Sequence, residues 1–313
     1  MWQDRKVLVT GSTGLIGKAL TQQLLRLSYD LLTPSHTELD LRDQDTVFNY
    51  FNQHKPDYVF HLAAIVGGIH ANHAYPSQFI YDNTQMHCNV IAASHRYGVS
   101  KLLFPGSACT YPKTAPQPIT EAAFLNGLIE PTNIAYAAAK INGIIMCQSY
   151  AREHGLAVAL PMPTNAYGIG DNFNPKQSHV IPALMQRIHD AKVNHTPEIA
   201  LWGTGTPLRE FIYADDVASA FIFLMEHYES YDIINVGTMH EISILQLAKL
   251  IAEVVGYQGN IVVDTSKPDG APRKCLDSAR LFELGWKPQG QLAEGLRKVY
   301  EYHFNRQSVF HEK

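Results

Sequence analysis

Tyr136 and Lys140 stand four residues apart in NIAYAAAKINGIIMCQSY, a segment whose composition predicts a helix. Four residues make about one helical turn, so both side chains leave the same face of that helix. A lysine ammonium next to a phenol favours the phenolate and lowers a phenol pKa that starts near ~10. The spacing therefore predicts a general acid/base that works near neutral pH, although the same spacing also occurs by chance in many helices.

A glycine-rich loop near the start of the chain adds a site for a dinucleotide. In KVLVTGSTGLIGKAL an apolar strand runs into three glycines at three-residue spacing, and a helical pattern follows. Such glycines allow a tight turn, a close approach of the backbone to a pyrophosphate, and close packing of helix on strand. The pyrophosphate would lie at the helix N-terminus, on free N–H groups and the positive end of the helix dipole. The residues predicted to hold it are Gly11, Ser12, Thr13, Gly14, Leu15, Ile16 and Gly17.

Ser107 follows a second apolar strand, in the segment LLFPGSACTYP. Ligands of open α/β sheets bind at the carboxyl ends of the strands. Ser107 is therefore a third candidate site residue, beside the glycine loop and the Tyr136–Lys140 pair.

Strand and helix patterns alternate through the first half of the chain. Strands are predicted over 6–10, 29–32, 57–62, 101–104 and 157–160, and helices over 15–27, 44–53, 76–97 and 131–154. This alternation predicts an α/β fold, a doubly wound parallel sheet of the Rossmann type. A helix at 215–226 and a strand at 233–236 are expected to return to that sheet, while the remaining segments form a smaller C-terminal α/β lobe. We predict a cofactor-binding domain of residues 1–166 plus about 210–237, and a substrate-binding lobe of about 167–209 plus 238–313.

Composition and charge argue against several classes of protein. The chain of 313 residues is 46% hydrophobic and 17% charged, as globular proteins are, and its net charge is −4. No basic block favours nucleic acid, no apolar run approaches the ~20 residues of a membrane span, and the N-terminus enters a strand without a signal peptide. The four cysteines are scattered without metal-like or redox spacing, which fits a reduced cytoplasmic compartment. His70 and His73 lack a third ligand, so they are interpreted as polar loop residues after the third strand and no metal is predicted.

Together, the glycine loop, Ser107 and the Tyr136–Lys140 pair resemble the extended short-chain dehydrogenase/reductase superfamily. Within it, six segments resemble the GDP-L-fucose synthase family: HLAAIVGGIHAN, GSACTYP, EPTNIAYAAAK, PTNAYG followed by DNF, SHVIPAL and WGTGTPLREF. The resemblance covers essentially the whole chain. It implies a bifunctional enzyme that epimerises C3 and C5 of GDP-4-keto-6-deoxy-D-mannose and then reduces the 4-keto group with NADPH to give GDP-L-fucose.

The resemblance also implies the roles of five catalytic residues. Cys109 and His179 match the residues that exchange protons at C3 and C5, whose hydrogens are acidic because each carbon neighbours the 4-keto group. Thiols with a pKa near ~8.5 and imidazoles near ~6.5 suit proton transfer close to pH 7. Tyr136 would then protonate the oxygen at C4, Lys140 would tune Tyr136 and hold the nicotinamide ribose, and Ser107 would hydrogen-bond the same oxygen.

Two further sets of residues match binding positions of the family. Those implied at the cofactor, besides the glycine loop, are His36, Asp40, Leu41, Ala63, Ala64, Lys140, Pro163, Asn165, Ala166 and His179. Those implied at the GDP-sugar are Asn165, Arg187, Trp202, Arg209 and Asp269. Arginine forks suit the diphosphate, and the flat face of tryptophan suits packing against the nucleotide or the sugar.

The chain departs from the pattern of bacterial relatives where the 2′-phosphate of NADP would lie. Ser12 lies in a glycine loop that often carries arginine in those relatives, and Pro34, Ser35 and His36 follow the second strand without an arginine. That strand also lacks the terminal Asp or Glu expected to bind the ribose of NAD. Because Ser12, Ser35 and His36 offer hydrogen bonds to a phosphate, NADPH is the preferred cofactor, with NAD left open.

Alternatives stay open at this point. The same fold would serve an epimerase/4-reductase of a related GDP-6-deoxy-4-keto-heptose, or a simple 4-epimerase, although the latter would not need Cys109 and His179. A catalytically inactive sensor of NADP(H) is a further hypothesis, against which the intact Ser107, Tyr136 and Lys140 argue. A homodimer formed through the long helices at 76–97 and 131–154 is expected from the resemblance.

Overall fold

Twelve strands and ten α-helices make up the described chain, which the computed structural model covers over residues 5–174 and 178–305. The strands are β1 Lys6–Thr10, β2 Asp30–Leu32, β3 Tyr58–His61, β4 Lys101–Leu103, β5 Val158–Pro163, β6 Asn165–Tyr167, β7 Glu198–Trp202, β8 Leu208–Tyr213, β9 Ile233–Val236, β10 Glu241–Ser243, β11 Asn260–Asp264 and β12 Arg273–Lys274. The helices are α1 Leu15–Arg26, α2 Gln44–His54, α3 Ile69–Ala74, α4 Pro76–Arg96, α5 Ile134–His154, α6 Val180–Val193, α7 Ala214–His227, α8 Ile244–Val255, α9 Ala279–Glu283 and α10 Leu292–Tyr300. Within these ranges no helix is both long enough and apolar enough to cross a membrane.

Six strands form one parallel sheet in the order β2–β1–β3–β4–β5–β9. Successive side chains of a strand point to opposite faces, so in β1 Val7 and Val9 join one apolar cluster and Leu8 joins the other. Helices α1 and α7 cover the first face, and α2, α4 and α5 cover the second. Burial on both faces explains the continuous apolar runs of these strands. The α/β fold with a doubly wound parallel sheet, predicted from the sequence, is confirmed.

The order of the strands reverses at β1, which pairs with β2 on one side and with β3 on the other. In open α/β sheets, ligands bind outside the carboxyl ends of the strands at such a reversal. The segments that follow β1, β3 and β4 carry Gly11, Ala63 and Ser107 to this end of the sheet. The motifs that the sequence analysis singled out therefore meet at one edge.

A second, smaller unit is built from the remaining strands and three helices. Strand β8 pairs antiparallel with β10 and parallel with β12 and β6, while β7 pairs with β11. Helix α8 begins with a capping box, in which Ser243 and Gln246 each accept a hydrogen bond from the other's backbone N–H. Helices α6, α8 and α10 share an apolar core that includes Met185, Ile188, Leu247, Ile251 and Leu296.

Two local predictions are wrong. The segment after β3 was expected to be a loop, but it forms α3, so His70 and His73 lie on a short helix; their side chains lie outside the described residues. The helix predicted from residue 131 begins at Ile134, because Asn133 has a non-helical φ of −132° and a separate 3₁₀ turn precedes it. Among the residues whose side chains are described, no three His, Cys, Asp or Glu are grouped as a metal site would require.

Candidate active site

The loop between β1 and α1 forms a cradle that depends on glycine. Gly11 has a φ of +69°, and a Cβ placed on it would lie 2.7 Å from the backbone nitrogen of Ala63. A Cβ on Gly17 would overlap the carbonyl oxygen of Gly11, so α1 packs directly on the loop. Helix α1 begins after Gly14 without a side-chain cap, which leaves its first N–H groups available to an anion. These features fit the pyrophosphate of a dinucleotide.

A chain of buried polar side chains supports this loop. The hydroxyl of Thr10 accepts a hydrogen bond from the N–H of Ala63 at 3.2 Å and lies 2.8 Å from Nδ1 of His61. Nε2 of His61 lies 3.0 Å from Nδ1 of His87 on α4. Burial lowers the pKa of His61 to about 3 and that of His87 well below its usual value, and the charge of Lys140 lowers both. Both imidazoles therefore stay neutral and tie β1 and β3 to α4, a link that no local sequence pattern signals.

The segment after β2 carries the carboxylate of Glu38 in the region where the sequence analysis predicted the 2′-phosphate of NADP. Glu38 accepts hydrogen bonds from the N–H and the hydroxyl of Ser35, both at 2.7 Å, and these bonds lower the pKa of Glu38. Asp40 accepts two bonds from the guanidinium of Arg42, at 3.0 and 2.8 Å, which lower the pKa of Asp40 to about 2. His36 is exposed and lies 4.0 Å from Asp40. The donors of Ser35 are thus used within the protein, and Arg42, which the sequence analysis did not name, is paired with a carboxylate.

The remaining residues predicted at the cofactor follow the path from this segment across the sheet. Leu41 is buried against the core, and Ala64 follows Ala63 after β3. Pro163 ends β5, and Ala166 lies in β6 immediately after it. The structure therefore places these residues at or near the carboxyl end of the main sheet.

Three of the predicted catalytic residues contact one another after β4. Ser107 precedes a 3₁₀ turn over Ala108–Thr110, and its hydroxyl accepts a hydrogen bond from the N–H of Cys109 at 3.2 Å. The side chain of Ser107 also hydrogen-bonds that of Tyr136, which lies in the first turn of α5. Burial raises the pKa of Tyr136, the neighbouring Cys109 raises it further, and the bond with Ser107 opposes that rise. The phenol is therefore protonated at neutral pH.

Lys140 lies one turn further along α5 and is buried. Its Nζ donates to the carbonyl oxygen of Pro105 at 2.9 Å and lies 4.8 Å from the ring centroid of Phe104. Burial lowers the pKa of Lys140 to about 7. The prediction that Lys140 lowers the pKa of Tyr136 is wrong for this arrangement. Burial disfavours the charged form of both groups, and the ammonium is directed to a backbone carbonyl.

His179 is supplied by the smaller unit, at the start of α6. It is exposed, and residues 175–177 before it lie outside the described residues. Burial raises the pKa of the nearby Asp171, and the charge of His179 opposes that rise. The two residues that the sequence analysis assigned to proton exchange, Cys109 and His179, therefore come from different units of the protein.

Two residues predicted at the substrate lie on paired strands of the smaller unit. The amide of Asn165 on β6 donates to the backbone carbonyl of Glu210 at 2.9 Å. Arg209 on β8 is half-buried and donates to the carbonyl of Leu208 at 2.8 Å, and burial lowers its pKa. Since β6 directly follows β5 of the main sheet, these two side chains stand where the two units meet.

The other three predicted substrate residues surround the end of β7. Trp202 is 66% exposed, which leaves a flat apolar face open to a ligand. The carboxylate of Asp269 accepts hydrogen bonds from the N–H and the hydroxyl of Thr204, at 2.9 and 2.7 Å. Arg187 reaches from α6 to donate to the backbone carbonyl of Ala200. The structure thus brings Trp202, Asp269 and Arg187 to one strand pair. The side chain of Arg209 reaches the same segment, because a Cβ on Gly270 would lie 3.1 Å from its Nη2.

Glu210 is a buried residue that the sequence analysis missed. Its carboxylate accepts hydrogen bonds from the N–H groups of Thr238, Met239 and Leu276, at 2.6, 2.7 and 2.9 Å. Burial raises the pKa of Glu210, and these three bonds oppose that rise. One side chain of β8 therefore fixes the segments that follow β9 and β12.

Lys274 is a second residue that the sequence analysis missed. Its Nζ lies 3.8 Å from Sγ of Cys109, although the two residues are 165 positions apart in the chain. Lys274 lies on β12, in register with Arg209 on β8. A contact between such distant segments leaves no periodic signal in the sequence.

Comparisons with known proteins agree with this site. Residues 7–237 match the model of the NAD dependent epimerase/dehydratase family. The chain is 50% identical over 302 residues to the putative GDP-L-fucose synthase 2 of Arabidopsis thaliana, covering 96% of this chain and 92% of that one. A GDP-6-OMe-4-keto-L-xylo-heptose reductase from C. jejuni has a TM-score of 0.92 at 31% identity, covering 98% and 99% of the two chains. A GDP-L-fucose synthetase from Naegleria fowleri bound to NADP has a TM-score of 0.89 at 30% identity, covering 98% and 96%.

These matches extend over nearly the whole chain and include the parts that carry its chemistry. The glycine loop that fits a pyrophosphate lies at the same edge of the sheet as the contact between Ser107 and Tyr136. Such a combination is that of an enzyme working with a nicotinamide cofactor. The chain therefore belongs to the NAD dependent epimerase/dehydratase family and, within it, to the GDP-L-fucose synthase family of epimerase/reductases.

Proposed function

We propose that this protein epimerises C3 and C5 of GDP-4-keto-6-deoxy-D-mannose and then reduces its 4-keto group with NADPH, giving GDP-L-fucose. The observation that carries the proposal is the contact group Ser107, Cys109 and Tyr136. In this group, the protonated phenol can donate its proton to an alkoxide, and the thiol in its ionised form can remove a proton from carbon. A simple reductase would need only the phenol. The names of the relatives that are about half identical to the chain support the same reaction.

In the epimerisation stage, the thiolate of Cys109 takes a proton from a carbon next to the 4-keto group. The C–H bond breaks, an S–H bond forms, and the electron pair passes to the 4-keto oxygen as an enolate. His179 then gives a proton to the same carbon from the opposite face, which inverts it. The exposed position of His179 at the start of α6 leaves it open to a substrate held between the two units.

In the reduction stage, the nicotinamide supplies a hydride to C4 of the sugar when the cofactor is bound. Tyr136 donates its proton to the oxygen at C4, and burial keeps that proton in place at neutral pH until then. Ser107 hydrogen-bonds the same oxygen. Lys140 is buried one turn away and would hold the nicotinamide ribose when the cofactor is bound.

We further propose that residues 1–166 with about 210–237 bind NADPH, and that about 167–209 with 238–313 bind the GDP-sugar. The glycine cradle supports the first assignment, and the exposed face of Trp202 supports the second. The preference for NADPH over NADH is expected to be modest, because Glu38 brings a negative charge next to Ser35. NAD is therefore the second candidate cofactor.

A second candidate function is favoured by one comparison. The C. jejuni heptose reductase matches the fold over almost the whole chain, so an epimerase/4-reductase of a GDP-6-deoxy-4-keto-heptose is the alternative. The test is to incubate the protein with NADPH and either keto-sugar, follow NADPH oxidation, and identify the product by NMR. We expect GDP-L-fucose, with the higher kcat/KM for the hexose. A higher kcat/KM for the heptose would select the alternative, and NADPH binding without oxidation of it would indicate an inactive sensor.

A further inference from the structure

The thiol of Cys109 faces a cation that comes from the other unit of the protein. Nζ of Lys274 lies 3.8 Å from Sγ of Cys109, within hydrogen-bonding distance for sulfur. Both side chains are half-buried, so neither group is sealed in the core. A thiolate next to a lysine ammonium is stabilised relative to the thiol.

The position of Lys274 is fixed by its neighbours in the chain. The guanidinium of Arg273, the preceding residue, donates two hydrogen bonds to the carboxylate of Glu241, at 2.8 and 2.7 Å. After it, the N–H of Cys275 donates to the side chain of Gln117 at 2.9 Å, and the N–H of Leu276 donates to Glu210 at 2.9 Å. The backbone of β12 is therefore held on both sides, which limits the directions that the side chain of Lys274 can take.

The charges around the pair favour this contact. Among the ion pairs of the described residues Lys274 has no carboxylate partner, so its ammonium is directed to sulfur. A further titratable group at Cys109 is Tyr136 from α5, whose phenol is neutral because burial raises its pKa. In the described part of the chain, Lys274 therefore forms no ion pair with a carboxylate, and the neighbouring Glu241 is paired with Arg273.

We propose that Lys274 is a positioning residue that holds Cys109 as a thiolate and fixes the direction of its Sγ. The proposal rests on the proposed function, in which that thiolate takes a proton from the sugar. As the S–H bond forms, the negative charge moves from sulfur to the 4-keto oxygen, and the ammonium of Lys274 keeps its own protons. Since Lys274 belongs to β12 and Cys109 follows β4, the base is complete only when the smaller unit is docked on the main sheet.

The first experiment measures the thiolate directly and needs no substrate. The rate of alkylation of Cys109 by iodoacetamide is followed by peptide mass spectrometry across pH for wild type, Lys274→Met and Lys274→Arg. Removing the cation should move the midpoint of the pH–rate profile upward by roughly one pH unit or more, whereas arginine should restore most of it. Lys249→Met, at an exposed lysine on α8, is the matched control and should leave the profile unchanged.

The second experiment follows wash-in of solvent deuterium at C3 and C5 of the keto-sugar. Lys274→Met should slow this exchange at neutral pH by roughly tenfold or more and recover part of the rate at higher pH. An unchanged alkylation profile would overturn the proposal, and so would a rise in KM for the GDP-sugar as the sole effect, because Lys274 would then bind substrate. If the alkylation profile shifts but the wild type exchanges no deuterium, the Lys274–Cys109 pair stands and the proposed function fails.

Discussion

At the scale of single residues, the surroundings of two neighbouring acids separate their tasks. Tyr136 is half-buried, and this burial raises the pKa of its phenol, so the proton is held at neutral pH and is available to an alkoxide. Cys109 lies beside it, and the ammonium of Lys274 faces its sulfur. The phenol is thus suited to give a proton, and the thiol is suited to take one. Substitutions at the two positions should therefore affect different stages of the reaction.

The reduction stage is tested by Tyr136→Phe. Loss of the phenol proton should lower the rate of NADPH oxidation by roughly 10²–10⁴-fold, the scale of general acid catalysis. Deuterium exchange at C3 and C5 should continue, because Cys109 and His179 are intact. Turnover close to that of the wild type would exclude Tyr136 as the acid.

The epimerisation stage is tested by Cys109→Ser. A hydroxyl keeps the size and hydrogen bonding of the thiol but does not ionise near neutral pH, so the variant should lose proton abstraction and retain part of its hydride transfer. Its products should be GDP-6-deoxy-hexoses with the original configuration at C3 and C5, identified by NMR. Fully epimerised product at the normal rate would mean that another group is the base.

The choice of cofactor is tested by Glu38→Gln. The carboxylate of Glu38 occupies both donors of Ser35, and its charge opposes a 2′-phosphate in the same region. Its neutral amide should raise the ratio of kcat/KM for NADPH to that for NADH several-fold. Glu283→Gln, at an exposed position on α9, serves as the control. An unchanged or lower ratio would show that the 2′-position lies elsewhere.

At the scale of elements, two buried histidines join strands to a helix beneath the cofactor loop. His61 ends β3 and bonds Thr10 of β1 on one side and His87 of α4 on the other. The ring of His87 also packs edge-on against Phe104, with centroids 4.8 Å apart. These contacts position the segment that carries Ala63 against the glycine loop. The shape of the loop therefore depends on both imidazoles staying neutral.

The same histidines predict how stability depends on pH. In the folded state burial lowers both pKa values, that of His61 to about 3, whereas in the unfolded chain both titrate near ~6.5. The unfolded state therefore binds more protons below that pH, so the free energy of unfolding falls as pH drops, by up to ~1.4 kcal/mol per pH unit for each group. His87→Gln removes one of these two groups. The variant should therefore show a pH dependence of the free energy of unfolding that is smaller by up to ~1.4 kcal/mol per pH unit between about pH 6 and pH 4, as measured by urea denaturation. The exposed His227→Gln should not change it.

At the scale of the whole molecule, the exposed apolar side chains suggest a partner for α4 and α5. These helices pack together, and Ile80, Tyr81 and Ile145 are exposed on them. A second copy of the chain packing there would bury these side chains. We expect light scattering to give the mass of a dimer for the wild type and of a monomer for Ile80→Asp with Ile145→Asp. A monomeric wild type would contradict this arrangement.

The features of this molecule that the sequence predicts correctly are those formed within short segments of the chain. The glycine loop, the alternating strands and the Tyr136–Lys140 spacing each lie within a short segment, where periodicity and turn chemistry decide the structure. The pKa of Tyr136 is higher than the spacing predicts, because it depends on burial, which is a property of the packed chain. Lys274 and Glu210 were missed for the same reason, since each acts on segments far away in sequence.

The hydrogen bonds of the Glu210 carboxylate determine how the protein unfolds. Its bonds hold the segment after β9, which belongs to the main sheet, and the segment after β12, which belongs to the smaller unit. Opening either segment leaves a buried charge with lost donors, a costly state that favours opening both together. The protein should therefore melt in one cooperative transition. Native-state hydrogen exchange should give the same opening free energy for the amides of Thr238, Met239 and Leu276. A folded sheet without its lobe would not accumulate.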